Sequence, residues 1–264
     1  MTARRLATAI LGPSVVLLAA HAVSLASVHA ASPGGTRWIA IDEGRGIHLR
    51  AAVAWPEGRA PVPVVIVLHG TEGFNEDHVH LAEAFASHGF IGMAGCWFAG
   101  SECPDGPRFQ GVTGDAVHHV DALIAAARGL LRARPDRIGL FGHSRGGALA
   151  LWTASSGRAV RAVVVSAAQY SAGQTAGRHP VPIDASPLTV ASTLGAPVLI
   201  LHAVGDEVSP VRDALSYEHA LRDLGKPVEA HYYDTAGHGL PFGPVTRDDV
   251  LRRSSEFLRR HLES

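Results

Sequence analysis

Hydrophobic and polar positions along the chain follow two alternating periods, and the alternation predicts strands and helices in turn. Trp38–Ile41 and Ile47–Trp55 read as two early strands joined through Gly44 and Gly46 in a hairpin-type connection. Val62-Pro63-Val64-Val65-Ile66-Val67-Leu68 has no polar residue, the composition of a strand covered on both faces. A short helix over Leu81–Ser87 ends near Gly89 and leads into a strand over Phe90–Ala94. Ala116, Val120, Leu123, Ile124, Ala127, Leu130 and Leu131 recur at steps of three and four, which predicts a helix with one apolar face over Asp115–Leu131, closed by Pro135. Further strands are expected at Arg137–Phe141, Val160–Ser166, Pro197–Ala203 and Val228–Tyr233, and helices at Gly146–Ser155, Val211–Leu224 and Asp248–Leu262. Gly225 and Pro227 supply the stop after Leu224. Such an alternation implies an α/β fold, with a mostly parallel central sheet and helices on both faces. Tyr170–Leu194 lacks a clear period and carries Pro180, Pro182 and Pro187, so a long loop or cap is expected there.

The start of the chain departs from this alternation. Arg4 and Arg5 precede an apolar run from Leu6 to Ala20, followed by small residues, the pattern of a secretory signal peptide over residues 1–30. Cleavage could follow Ala20-His21-Ala22 or Val28-His29-Ala30; the second is favoured because Ser32-Pro33-Gly34-Gly35 reads as a flexible mature start. An uncleaved anchor is the alternative, although Gly12, Pro13 and His21 interrupt the run. Residues 36–264 then form a single α/β domain, in a protein expected to be secreted or periplasmic. Hydrophobic residues at 47% and charged residues at 18% support a large core. With 23 basic against 24 acidic side chains, no long-range field favours nucleic acid or an anionic membrane, and a small-molecule partner fits better. Cys96 and Cys103 could close a disulfide loop or remain two thiols.

The chemistry concentrates in Gly142-His143-Ser144-Arg145-Gly146, followed by Gly147, between an expected strand and an expected helix. In that setting a sharp turn lifts a serine hydroxyl clear of the sheet, marking Ser144 as a nucleophile. A hydroxyl is a weak nucleophile at neutral pH and requires a base with a third group to orient it. Chain order serine, acid, histidine assigns Asp206, just beyond the strand Pro197–Ala203, and His238, beyond Val228–Tyr233. Glu207 and Asp234 are the competing acids. The backbone amides of Thr71, in His69-Gly70-Thr71-Glu72-Gly73, and of Arg145 are the expected oxyanion donors, unless His69-Gly70 is a simple turn. Trp97 and Phe98 are candidate substrate-binding residues or ordinary core aromatics. His78 and His80 with Asp77 have a spacing that could hold a metal, but no second cluster completes a ligand set, so neither metal nor cofactor is expected. His118-His119 should lie half toward solvent on a helix.

These motifs, with Asp136-Arg137-Ile138-Gly139, Leu224-Gly225-Lys226-Pro227-Val228 and Ala236-Gly237-His238-Gly239, resemble the dienelactone hydrolase family of α/β hydrolases from about Val62 to His238. The chain is also similar to the catalytic domains of prolyl-oligopeptidase-type enzymes. The resemblance implies cofactor-free hydrolysis of carboxylic esters or lactones. The name-giving enzymes carry cysteine where this chain has Ser144 and a glutamate beside the oxyanion loop where it has Gly70, which points toward a general serine esterase. A peptidase acting on small peptides and a non-catalytic binding protein on the same fold are the other readings.

Overall fold

A computed structural model describes residues 35–108, 112–170 and 186–264. The expected signal segment and most of the expected cap lie outside the described residues. Among the described residues eight strands form one sheet: β1 (Thr36–Asp42), β2 (His48–Ala54), β3 (Val62–Leu68), β4 (Ile91–Cys96), β5 (Ala133–His143), β6 (Ala162–Ser166), β7 (Val198–Ala203) and β8 (Val228–Tyr233). Their spatial order is β1-β2-β4-β3-β5-β6-β7-β8. The β1–β2 and β2–β4 pairs are antiparallel, and every pair from β4–β3 to β7–β8 is parallel. Among the described residues five α-helices accompany them: α1 (Glu76–Ser87), α2 (Gly114–Arg128), α3 (Arg145–Ser155), α4 (Val211–Asp223) and α5 (Arg247–Leu262).

Strand period decides which helix covers which face. Along β3, Val64, Ile66 and Leu68 point into a core shared with α2, α3 and α4, through residues such as Leu123, Leu149 and Tyr217. Val65 and Val67 point the other way, onto Leu81 and Phe85 of α1 and Phe257 and Leu258 of α5. The two-sided cover explains why β3 contains no polar residue. The chain leaves β3 toward β4 on one side and returns to β5 on the other, so a crevice opens beyond the carboxyl ends of the central strands.

Two elements begin four or more residues earlier than expected. Helix α1 starts at Glu76, capped by the Asn75 side chain, which accepts from the Asp77 amide at 3.1 Å, while His78 Nδ1 accepts from the Asn75 amide at 3.2 Å. Its first turn is polar, so apolar period alone misses it. Strand β5 starts at Ala133, where a register shift against β3 between Val62 and Val64 breaks the alternation. Within the expected cap, Pro187–Thr193 forms a 3-10 turn.

Candidate active site

Ser144 sits between β5 and α3 with φ 52° and ψ −116°, a left-handed backbone that a residue with a Cβ adopts only when its surroundings enforce it. The glycines around it permit the turn. A Cβ on Gly142 would lie 2.4 Å from the Gly146 carbonyl oxygen, and one on Gly147 would lie 2.5 Å from Ala168 Cβ. Strand, elbow and helix can therefore approach closely enough to present the Ser144 hydroxyl at the carboxyl end of β5.

Ser144 Oγ–H donates to His238 Nε2 at 2.9 Å, and His238 Nδ1–H donates to Asp206 Oδ2 at 2.9 Å. His238 reaches the site from the loop after β8, and Asp206 from the turn after β7. The turn holds the carboxylate from its other side, since the Val208 and Ser209 amides donate to Asp206 Oδ1 at 2.9 and 2.8 Å. Burial opposes the charge on Asp206, but the His238 hydrogen bond and those amides outweigh it and hold its pKa below the usual carboxylate range. The three residues separated by up to 94 positions thus form one continuous hydrogen-bonded line. Neither Glu207 nor Asp234 bonds to His238; Asp206 does.

Around this line stand three residues that sequence reasoning passed over. His202 is fully buried behind Asp206 and donates from Nε2 to the Ser209 carbonyl at 2.8 Å, fixing the turn that carries the acid. His143 is buried beside His238, their ring centroids 5.1 Å apart, and burial lowers its pKa to about 4. Glu72 accepts from the Gly70 amide at 2.9 Å and from His78 Nε2–H at 3.1 Å, both on Oε1. A Cβ on Gly70 would lie 2.4 Å from Glu72 Oε2 and 2.9 Å from Ser144 Cβ. The Glu72 side chain therefore folds back over the glycine, and its carboxylate takes the space that a side chain at position 70 would enter. Burial alone raises the Glu72 pKa, but His78 and the nearby His143 ring prevail and bring it to about 2. Only the spacing Gly70-Thr71-Glu72 hinted at this, because a fold-back onto a glycine leaves no periodic trace.

The two residues expected to supply oxyanion donors sit just past the carboxyl end of β3 and at the start of α3. Thr71 belongs to the loop leaving β3, and its amide donates to no acceptor among the described residues. Arg145 opens α3, so its amide belongs to the helix N-terminus directly after Ser144. Trp97 and Phe98 are 1% and 5% exposed and pack on the His69 ring, with centroids 5.3 and 4.4 Å away. Trp97 Nε1–H also donates to the His69 carbonyl at 3.0 Å, so the pair buttresses the loop after β3. The cavity they line, about 150 Å³, includes Arg45, Arg108 and His119 on its wall and none of Ser144, Asp206 or His238.

Other candidates fall apart in space or come together. His78 is buried on α1 while the His80 side chain is 61% exposed, so the two do not share a face. His118 faces solvent, whereas His119 is buried and donates from Nδ1 to the Trp97 carbonyl at 2.9 Å. Cys96 and Cys103 are joined in a disulfide at the end of β4. Among the described residues no three His, Cys, Asp or Glu side chains gather as a metal set.

Comparison with known proteins agrees with this geometry at the level of family. The model of the dienelactone hydrolase family matches residues 49–244. A protein of Methylorubrum extorquens provisionally named carboxymethylenebutenolidase is 28% identical over 197 residues, spanning 71% of this chain and 66% of that protein, just under two thirds of its length. In solved structures, a protein of Klebsiella pneumoniae provisionally named dienelactone hydrolase superposes with a TM-score of 0.69 at 19% identity, covering 86% of this chain and 99% of that one. The acylaminoacyl peptidase of Pyrococcus horikoshii gives 0.72 at 20% identity, over 88% of this chain but 42% of the peptidase. Identities this low show a shared fold alone, an α/β-hydrolase sheet with its helices. The family match is wider, taking in the loop after β3, the serine elbow, the Asp206 turn and the His238 loop together, and by it the chain belongs to the dienelactone hydrolase family.

Proposed function

We propose that the protein is a serine hydrolase that cleaves carboxylic esters or lactones through an acyl-enzyme on Ser144. The observation that carries this reading is the hydrogen-bonded line from Ser144 through His238 to Asp206. Its direction fixes the proton: with Nδ1–H held by the carboxylate, His238 Nε2 offers its lone pair to the serine. Ser144 Oγ attacks the carbonyl carbon as His238 takes its proton, and the oxyanion forms against the Thr71 and Arg145 amides. Collapse expels the alcohol, which takes the proton back from His238. Water then repeats the sequence, with His238 again as base, and releases the carboxylic acid and free Ser144. No cofactor enters any of these steps.

Export to a secreted or periplasmic site belongs to the same proposal. The apolar run after Arg4 and Arg5 supports it, as does the Cys96–Cys103 disulfide, which persists in oxidising compartments. Sequencing the N-terminus of exported protein tests it, with a start after Ala30 expected and a start at Met1 contrary. For the activity, purified protein is assayed on short-chain 4-nitrophenyl esters beside a dipeptide amide. Ester turnover that vanishes in Ser144→Ala supports the proposal. Turnover of the amide alone would favour a peptidase, and full ester activity in Ser144→Ala would reject the nucleophile.

A further inference from the structure

We propose that Glu72 determines specificity, selecting esters that carry an ammonium group within a few bonds of the scissile carbonyl, because its carboxylate lies over the bare face of Gly70 beside Ser144. The inference rests on the Ser144 hydrolase reading and narrows its substrate class.

The placement is built, not incidental. The point a Gly70 Cβ would occupy is 2.4 Å from Glu72 Oε2, 3.1 Å from Oε1 and 2.9 Å from Ser144 Cβ, so the charge abuts the nucleophile from the oxyanion-loop side. The Gly70 amide and His78 Nε2–H both bind Oε1 and hold the side chain there. With 36% of the side chain exposed, a ligand can still reach it.

Its charge is also uncancelled. His78 Nδ1 accepts the Asn75 amide, which requires a lone pair there and makes the ring a neutral donor to Glu72. Burial keeps the two other nearby rings neutral, His69 with a pKa lowered to about 3 and His143 to about 4. Among the described residues His78 is the sole side chain that pairs with Glu72 within 4.0 Å. A full negative charge therefore faces the place where acyl transfer builds another. An ester with no charge must develop its oxyanion against that field, and an anionic ester adds a second repulsion. An ammonium on the substrate offsets both, before and during the reaction.

The test compares kcat/KM for matched esters on the full chain. On the acyl side, 4-nitrophenyl 4-aminobutanoate is set against the pentanoate; on the alcohol side, butyrylcholine against 3,3-dimethylbutyl butanoate. In at least one pair the cationic ester is expected to exceed its neutral partner by about tenfold at low ionic strength, a modest factor because the Glu72 side chain is partly exposed to water. Glu72→Gln is expected to bring that ratio to about one. Should that variant fold poorly, raising salt on the wild type gives a second readout, since screening should compress the ratio. Ratios near one in the wild type for both pairs, or a ratio unchanged by Glu72→Gln and by salt, would overturn the inference. Those outcomes leave neutral-ester turnover at Ser144 standing; failure of the hydrolase reading would show instead as no ester turnover of any kind.

Discussion

Gly146 lies so close to Leu68 that a Cβ on it would stand 2.1 Å from the Leu68 carbonyl oxygen. The contact joins the serine elbow to the end of β3, the strand that launches the oxyanion loop. The proposed nucleophile and oxyanion donors thereby share one rigid junction. Gly146→Ala must push α3 away from β3, an overpacking that costs about 1–3 kcal/mol. The expected result is a lowered thermal midpoint together with loss of most ester turnover. A variant with wild-type stability and activity would show that the junction tolerates displacement.

In the proposed mechanism the Asp206 carboxylate selects the His238 tautomer that can accept the serine proton. Asp206→Asn keeps the size of the side chain and an oxygen for the Val208 and Ser209 amides, but it no longer enforces Nδ1–H on His238. Turnover is expected to fall by about 10³–10⁴ with little change in melting temperature. Parallel Glu207→Gln and Asp234→Asn variants, whose residues do not bond His238, are expected to stay within about threefold of wild type. Equal losses in all three would undo the assignment of the acid.

How far these positions could be read from the sequence follows from how local each signal is. Ser144 was legible because its strand, elbow and helix occupy one short stretch, Gly142 to Gly147, that must be glycine-rich to fold. Asp206 and His238 were legible through chain order and their places just past β7 and β8. The start of α1 was not, because Glu76 and Asp77 face water and His78 is buried through hydrogen bonds that no apolar period records. His119 and Trp97 were opaque for a related reason: the bond between them spans 22 residues and exists only after α2 packs on β4. Glu72 stood in plain view within the oxyanion motif, yet its role depends on the missing Cβ of Gly70, a fact about space, not pattern.

Acid should destabilise the fold through His69 and His143. The unfolded chain takes up a proton at each ring near pH 6.5, while the folded rings resist protonation until about 3 and 4 respectively. Between those values the unfolded state binds more protons, so their stabilisation is complete above pH 6.5 and is lost as pH falls through the window. At pH 5 each ring is expected to withdraw about 2 kcal/mol relative to pH 8. Urea unfolding at both pH values measures this, and His69→Gln should remove about half of the difference. An unchanged pH dependence in that variant would mean the ring is not held neutral.

The disulfide closes a small loop, its cysteines seven positions apart. Restricting that loop in the unfolded chain is worth about 2–3 kcal/mol. Cys96→Ala/Cys103→Ala is expected to lose that stability while retaining the Trp97 contact with His69 and measurable ester turnover. Equal denaturation midpoints for the double variant and the wild type would assign the bridge no stabilising part.

The most direct measurement is covalent trapping by a fluorophosphonate followed by intact-mass and peptide analysis. A single adduct on the peptide containing Ser144 is expected, formed at least about a hundredfold more slowly in His238→Ala and absent in Ser144→Ala. An adduct on another residue, or labelling of Ser144 at an undiminished rate without His238, would contradict a nucleophile activated by that histidine.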